Sequence, residues 1–407
     1  MTPAPLTPGR PVTLGFAAAG LIAALSACTS AAPAAAPAKP AVASATAGAT
    51  VQAPPTAPSA SADPALNVYA HIAPGMMNAT WASDPFRVYV PNSLDNTMTV
   101  INPRTYKVIG TFPVGASPNH ITPSWDGSVL WVNNTDGYSL TPINPKTGKL
   151  GRPVPVSDPY NLYFTPDGTS AMVMAEALDR IDFRDPHTMA LRDSMTVPCA
   201  GVNHMDFTAD GRYAVASCEF SAKVLMIDIR ARRVLKTITL GMSMDAPVTA
   251  PGPGYSMPQD VRLSPSGNIF YVADMAANGI WLIDAHRFRK IGFIRTGAGT
   301  HGFEVSRDAR YLFIANRGEG SISVLSFATG KLVHKWRIPG GGSPDMGGIT
   351  PDGKVMWWSG RYNSVVYAMS TTTGRLLAKI PVGAGPHGVC VFPQPGRYSL
   401  GHTGNFR

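Results

Sequence analysis

Charge is scarce in this sequence. Asp, Glu, Lys and Arg make up 14% of its 407 residues, and the net excess of +9 is spread along the chain. The densest basic cluster, Arg230, Arg232, Arg233 and Lys236, falls at a turn and the start of a strand and reads as a solvated turn. No long run interleaves Lys or Arg with aromatics, so a nucleic-acid partner is not expected. After the apolar run Leu14–Ala27, nothing is long enough to span a bilayer. A Gly-x-Ser-x-Gly elbow and a Walker loop are both missing, so neither of these announcements of a catalytic mechanism is present.

What the chain does have is Gly and Pro, together close to a fifth of its residues. With so few charges, that composition fits short strands and tight turns. At the N-terminus, Arg10 followed by Leu14–Ala27 reads as a signal segment. Leu25-Ser26-Ala27-Cys28 resembles the lipobox of bacterial lipoproteins. The resemblance implies cleavage before Cys28 and lipid on its sulfur and amine. Several acyl chains on one residue anchor stably where a single chain does not. Residues 1–28 are then a signal peptide, and the protein sits on the extracytoplasmic face of a bacterial cell membrane. The alternative is an ordinary secretory signal cut near Ala27, giving a secreted protein. From Thr29 to about Asp63 the chain is almost entirely Ala, Pro, Ser and Thr. Such a segment cannot bury a core and reads as a disordered tether over residues 29–66, ahead of a folded domain at 67–407.

The domain is a repeat. A turn recurs as Trp125-Asp126-Gly127, Pro166-Asp167-Gly168, Ala209-Asp210-Gly211, Pro265-Ser266-Gly267, Arg307-Asp308-Ala309 and Pro351-Asp352-Gly353, mostly 41 to 44 residues apart. Short apolar-alternating runs separate the turns, four to a unit, as in Gly201–Gly241. This period with four strands per unit is the signature of a β-propeller. The phrases VYVPN (88–92), NTMTVINPRTYKVIGTFPVG (96–115) and GRLLAKIPVGAGPHGV (374–389) resemble the YVTN-repeat, YncE-like propellers. The expected fold is therefore all-β: a seven-bladed propeller of four-stranded antiparallel blades, expected to be a monomer. The ring is closed by the final strand, Gly388–Pro393, unless Met77–Asp84 is a degenerate inner strand. One step, Asp210 to Ser266, is longer, and its excess lies in a Pro/Gly-rich loop at Met242–Ser256. Cys199 ends one repeat's last strand and Cys218 the next repeat's second strand. Both ends fall on one face, and outside the cytoplasm the two are expected to form a disulfide. Cys390 lies in an apolar run and is expected to be a buried free thiol.

Two sets of residues should converge on one mouth. The first begins the inner strands and includes His120, Asn161, His204, Asp260, His301, Asp345 and His387. Four histidines at one structural position can bind a transition metal, divalent or copper, or act as acid–base groups. The bland alternative is that they satisfy exposed backbone and hold water. The second set tops the second strands: Asn92, Asn134, Glu176, Glu219, Asp274, Arg317 and Arg361. Its acids and arginines fall on opposite sides of the mouth, where the arginines can clamp a carboxylate or phosphate, or the two signs simply pair with each other. Met242, Met244, Met257, Met275 and Met346 lie near the same face and read as apolar lining rather than copper ligands. The leading expectation is a tethered module that binds a small ligand or protein in a polar, His-lined funnel. Two alternatives stand beside it, the first implied by the resemblance and the second by the histidines. One is a lactonase or lyase, with His204 and Glu219 as the catalytic pair facing Arg317. The other is a metal-binding or redox propeller using His120, His204, His301 and His387.

Overall fold

A computed structural model describes residues 66–243 and 254–407. The signal peptide, Cys28, the tether up to residue 65, Met244 and most of the long insertion lie outside the described residues. Among the described residues, 28 strands form seven four-stranded sheets, and the fold is a seven-bladed β-propeller. Its inner strands are Pro118–Pro123, Asn161–Phe164, Val202–Phe207, Pro258–Leu263, Thr300–Val305, Pro344–Ile349 and Cys390–Phe392.

Six sheets run from inner to outer strand in chain order. In the seventh, Cys390–Phe392 pairs with Arg87–Asn92, in the register Arg87↔Phe392, Val88↔Val391 and Tyr89↔Cys390. The end of the chain therefore closes the ring and leaves no free sheet edge at the join. The segment Met77–Asp84 is not an inner strand. The Trp81 indole donates to the Gln394 carbonyl (2.8 Å), and the Val68 amide donates to that of Pro265 (2.9 Å), so this stretch lies where the inner strands exit.

The repeated turn has a local cause. In five copies a Ser or Thr hydroxyl donates to the Asp carboxylate two residues on. The pairs are Ser124–Asp126, Thr165–Asp167, Thr208–Asp210, Ser306–Asp308 and Thr350–Asp352, at 2.6 to 2.7 Å. The same carboxylates accept the backbone N–H two residues further along. The residue between takes a positive φ, +71° at Gly168, which favours glycine. Ala309 holds the equivalent place at φ +54°.

Packing follows strand position. Second strands such as Tyr311–Asn316 are buried along almost their whole length, whereas outer strands such as Lys331–Arg337 alternate toward solvent. Each blade covers the face of the next, which no blade could bury alone. A disulfide joins Cys199 to Cys218, and Cys390 is a buried free thiol.

Beyond the closing strand the chain turns back on itself. Arg397–Arg407 is a hairpin: the Arg397 amide bonds the Arg407 carbonyl, Ser399 bridges Phe406, and the Leu400 amide bonds the Asn405 carbonyl. It runs beside the inner strand of the third blade, where the His402 amide donates to the Leu162 carbonyl at 2.7 Å. Arg407 then pairs with Asp206 at 2.7 Å in a buried ion pair and lies over the Tyr69 ring. Removing one partner of a buried pair leaves an uncompensated charge. Arg407→Ala is therefore expected to destabilise the domain by about 3–5 kcal/mol, measured by denaturant unfolding.

Candidate functional site

The site begins with an irregularity in the inner strands. Their register against the second strands slips near the start, between Pro118 and His120, Val202 and Met205, Pro258 and Val261, Thr300 and Phe303, and Pro344 and Gly347. A bulge adds a residue and re-aims the side chains around it. Two successive residues of each bulged strand therefore turn toward the axis, and Tyr160-Asn161 and His387-Gly388 hold the matching places in the other two blades. The upper tier is Asn119, Tyr160, Asn203, Gln259, His301, Asp345 and His387. The lower tier is His120, Asn161, His204, Asp260, Gly302, Met346 and Gly388.

The four histidines expected at one structural position thus occupy two adjacent ones. They remain close: ring centroids are 4.7 Å apart for His120–His387, 5.6 Å for His120–His204, 5.9 Å for His301–His387 and 6.3 Å for His204–His301. A fifth joins them. His402, at the tip of the final hairpin, lies 5.1 Å from both His120 and His204 and stacks on Tyr163. Sequence reasoning missed it because it belongs to no repeat. The only signal was a histidine between glycines, Gly401-His402-Thr403-Gly404, after the last strand.

Burial holds all five imidazoles below their ordinary pKa, His120 down to about 3, so the rings are neutral near pH 7. Asp345 behaves in the opposite way. Burial works against its charge, but Arg317 at 3.2 Å, His301 at 2.8 Å and His387 at 3.5 Å outweigh it and hold the carboxyl well below its usual range. The His301–Asp345 approach is close in distance but short of good hydrogen-bond angles. Several buried atoms here have no hydrogen-bond partner: both ring nitrogens of His120, Nε2 of His204 and Nδ1 of His387. Native interiors rarely leave such groups unpaired, so their concentration on the axis points to a bound species. Among the described residues, two groups have donor atoms within 4.8 Å of one another and can hold a metal: His120–His204–His402 and His301–Asp345–His387. Asp260 is committed differently. It accepts from the Val261 and Phe303 amides and from Arg262, and burial raises its pKa to about 6.

Around the mouth, the residues that follow the second strands are Ser93, Thr135, Glu176, Glu219, Met275, Arg317 and Arg361. Asn92, Asn134 and Asp274 do not belong with them. They sit one position earlier and bond within their own blades: Asn92 to Thr97 and Thr99, Asn134 to Ser139 and Thr141, and Asp274 to Ser256, Met257, Ala277 and Trp281. The acidic side of the mouth therefore reduces to Glu176 and Glu219. Burial, and for Glu176 the neighbouring Glu219 charge, raises the pKa of both, that of Glu176 well above the usual range. Asn203 donates to Glu219 at 2.8 Å. On the basic side, Arg361 donates to Ser93 Oγ and the Gly385 carbonyl, and Arg317 contacts Asp345 and the Met275 sulfur. Met346 is buried at the axis.

A family model described as a YncE-like β-propeller matches residues 60–185 and 254–397. A 6-phosphogluconolactonase of Yersinia pestis is 25% identical over 260 residues, which is 59% of this chain and 76% of that protein. One from Erwinia tasmaniensis is 26% identical over 243 residues, 54% of this chain and 70% of that protein. Among solved structures, the periplasmic gluconolactonase of Pseudomonas aeruginosa superimposes with a TM-score of 0.61 at 16% identity, covering 76% of this chain and 99% of that one. Hydrazine synthase of Kuenenia stuttgartiensis gives 0.59 at 19% identity, covering 75% and 97%. At these identities the solved structures share the fold alone.

The carboxyl pair has a pH consequence. Both pKa values are raised, so the folded state binds more protons than the unfolded state above the ordinary carboxyl range. The stability this contributes is present at low pH and lost as pH rises through the folded values. Relative to the wild type, Glu176→Gln is expected to gain in melting temperature as pH rises above the ordinary carboxyl range, measured by thermal scans of both proteins across pH.

Proposed function

The chain belongs to the YncE-like β-propeller family, and from that premise we propose that its mouth binds a small anionic sugar-acid lactone and opens the ring. The observation that carries this reading is the two-sided mouth. Burial raises the pKa of two neighbouring carboxyls, Glu176 and Glu219, and Glu219 stands within electrostatic reach of the Arg317 guanidinium. The relatives named 6-phosphogluconolactonase support the substrate class.

Each part of the reaction has a group suited to it. Arg317 and Arg361 hold the carboxylate or phosphate of the ligand. His301, a neutral imidazole beside Asp345, takes a proton from the attacking water, and Asp345 stabilises the imidazolium that results. Water oxygen adds to the lactone carbonyl, the ring C–O bond breaks, and a protonated carboxyl of the Glu176–Glu219 pair delivers a proton to the departing ring oxygen. This assigns the base to His301 rather than to His204, which lies a tier deeper. A second reading, binding without turnover, draws on the closure of the upper tier, where His301 and His387 are only 2% and 3% exposed.

Glucono-1,5-lactone and its 6-phosphate are the substrates to test, against their spontaneous hydrolysis. Arg317→Ala is expected to lower kcat/KM by about 10- to 100-fold, the worth of one charged hydrogen bond. His301→Gln is expected to lower kcat. Rates equal to the uncatalysed control would end the lactonase reading, and saturable binding of the lactone or its acid would then support the second.

The same reading keeps the protein outside the cytoplasm on a lipid anchor at Cys28, supported by the lipobox-like Leu25-Ser26-Ala27-Cys28. Cys28→Ala is expected to move the protein from the membrane to the soluble fraction and to abolish labelling by a radioactive fatty acid.

A further inference from the structure

We propose that His120, His204 and His402 form a buried three-histidine metal centre in the lower tier, taking a zinc(II) or copper(II) ion that pins the final hairpin into the axial channel. The inference does not depend on lactone chemistry at the mouth, which uses other residues.

Three observations carry it. The first is convergence: one nitrogen from each ring lies within 4.8 Å of the others, and all three residues are buried. Zinc–nitrogen bonds are about 2.0–2.1 Å, so each ring has to move inward by only about 0.7 Å to ligate a common ion. The second is the orphaned nitrogens. Neither nitrogen of His120 has a protein partner, nor has Nε2 of His204. A buried imidazole without partners is costly, and a bound ion removes that cost. Burial also keeps the rings neutral, the form that ligates. The third is the support around the rings. The Asn161 amide lies 3.1 Å from Nδ1 of His204 and 2.9 Å from Nδ1 of His402. Its oxygen accepts the Leu162 amide at 2.9 Å, so its nitrogen faces the two rings and fixes their positions. Asp260, with Oδ1 3.9 Å from Nε2 of His402, is already paired with Arg262 at 3.0 Å and stays outside the ligand set.

The other candidate group, His301–Asp345–His387, is a poorer cation site. Arg317 already occupies its carboxylate at 3.2 Å, and an ion there would sit against a guanidinium. Three imidazoles with no thiolate suit zinc or copper. Because His402 comes from the hairpin and the other two from blades two and four, ligation ties the end of the chain to the propeller.

The test uses the full, untagged chain purified without chelator. Metal content is measured first. The demetallated protein is then titrated separately with zinc(II) and copper(II), and with cobalt(II) as a spectroscopic probe. The expected result is one ion per chain, tetrahedral cobalt bands and a rise in melting temperature on metal addition. His402→Ala is expected to weaken binding about 100-fold or more and to remove that rise, while His334→Ala, on an outer strand, leaves both intact. Absence of stoichiometric binding by the wild-type protein overturns the proposal without reference to any variant. So does full affinity in His402→Ala, or loss of binding in His301→Ala with His402→Ala unaffected.

Discussion

Everything on the axis depends on how the ring closes. Three residues, Cys390–Phe392, pair with Arg87–Tyr89 and complete the first blade. That pairing brings the last residues of the chain to the axis, where they fold into a hairpin. The hairpin in turn meets the N-terminal segment through Arg407 over Tyr69 and a blade through Arg407 and Asp206. One short strand thus joins both ends of the domain and fills its centre.

A propeller axis is an unusual interior. Seven strands begin there side by side, and most of the residues turned to the axis are polar yet nearly dry. Polar groups in such a place must find partners, and most do: Asp206 with Arg407, Asp260 with Arg262 and two amides, Asp345 with Arg317. The histidines are the exception. Their nitrogens are numerous, neutral and incompletely satisfied. The axis therefore separates into a mouth whose charged groups can meet a ligand and a deeper tier whose imidazoles face one another.

The repeat was legible because it rests on local chemistry. A Ser or Thr, then Asp two residues on, then a residue at positive φ makes the same turn wherever it occurs. Strand alternation did the rest, down to closure by the final strand. The candidate site was legible in part. The dipeptides that begin the inner strands could be read off the repeat, and so could the arginines and glutamates after the second strands. Their tiering could not. A bulge shifts the alternation by one residue, so neighbours such as Asn203 and His204 both reach the axis. Asp274 was grouped with Glu219 for the same kind of reason: a one-residue offset decides whether a side chain faces the mouth or its own blade.

The sequence by itself determined the architecture, the number of blades and the residue types available at the axis, because period and turn chemistry are local properties. Only the tertiary structure decided which of those residues meet. His402 lies 198 positions from His204 and outside every repeat, yet a hairpin held by Asp206 and Leu162 carries it to within 5.1 Å. No periodicity encodes that approach, because it depends on ring closure having already placed the end of the chain at the axis.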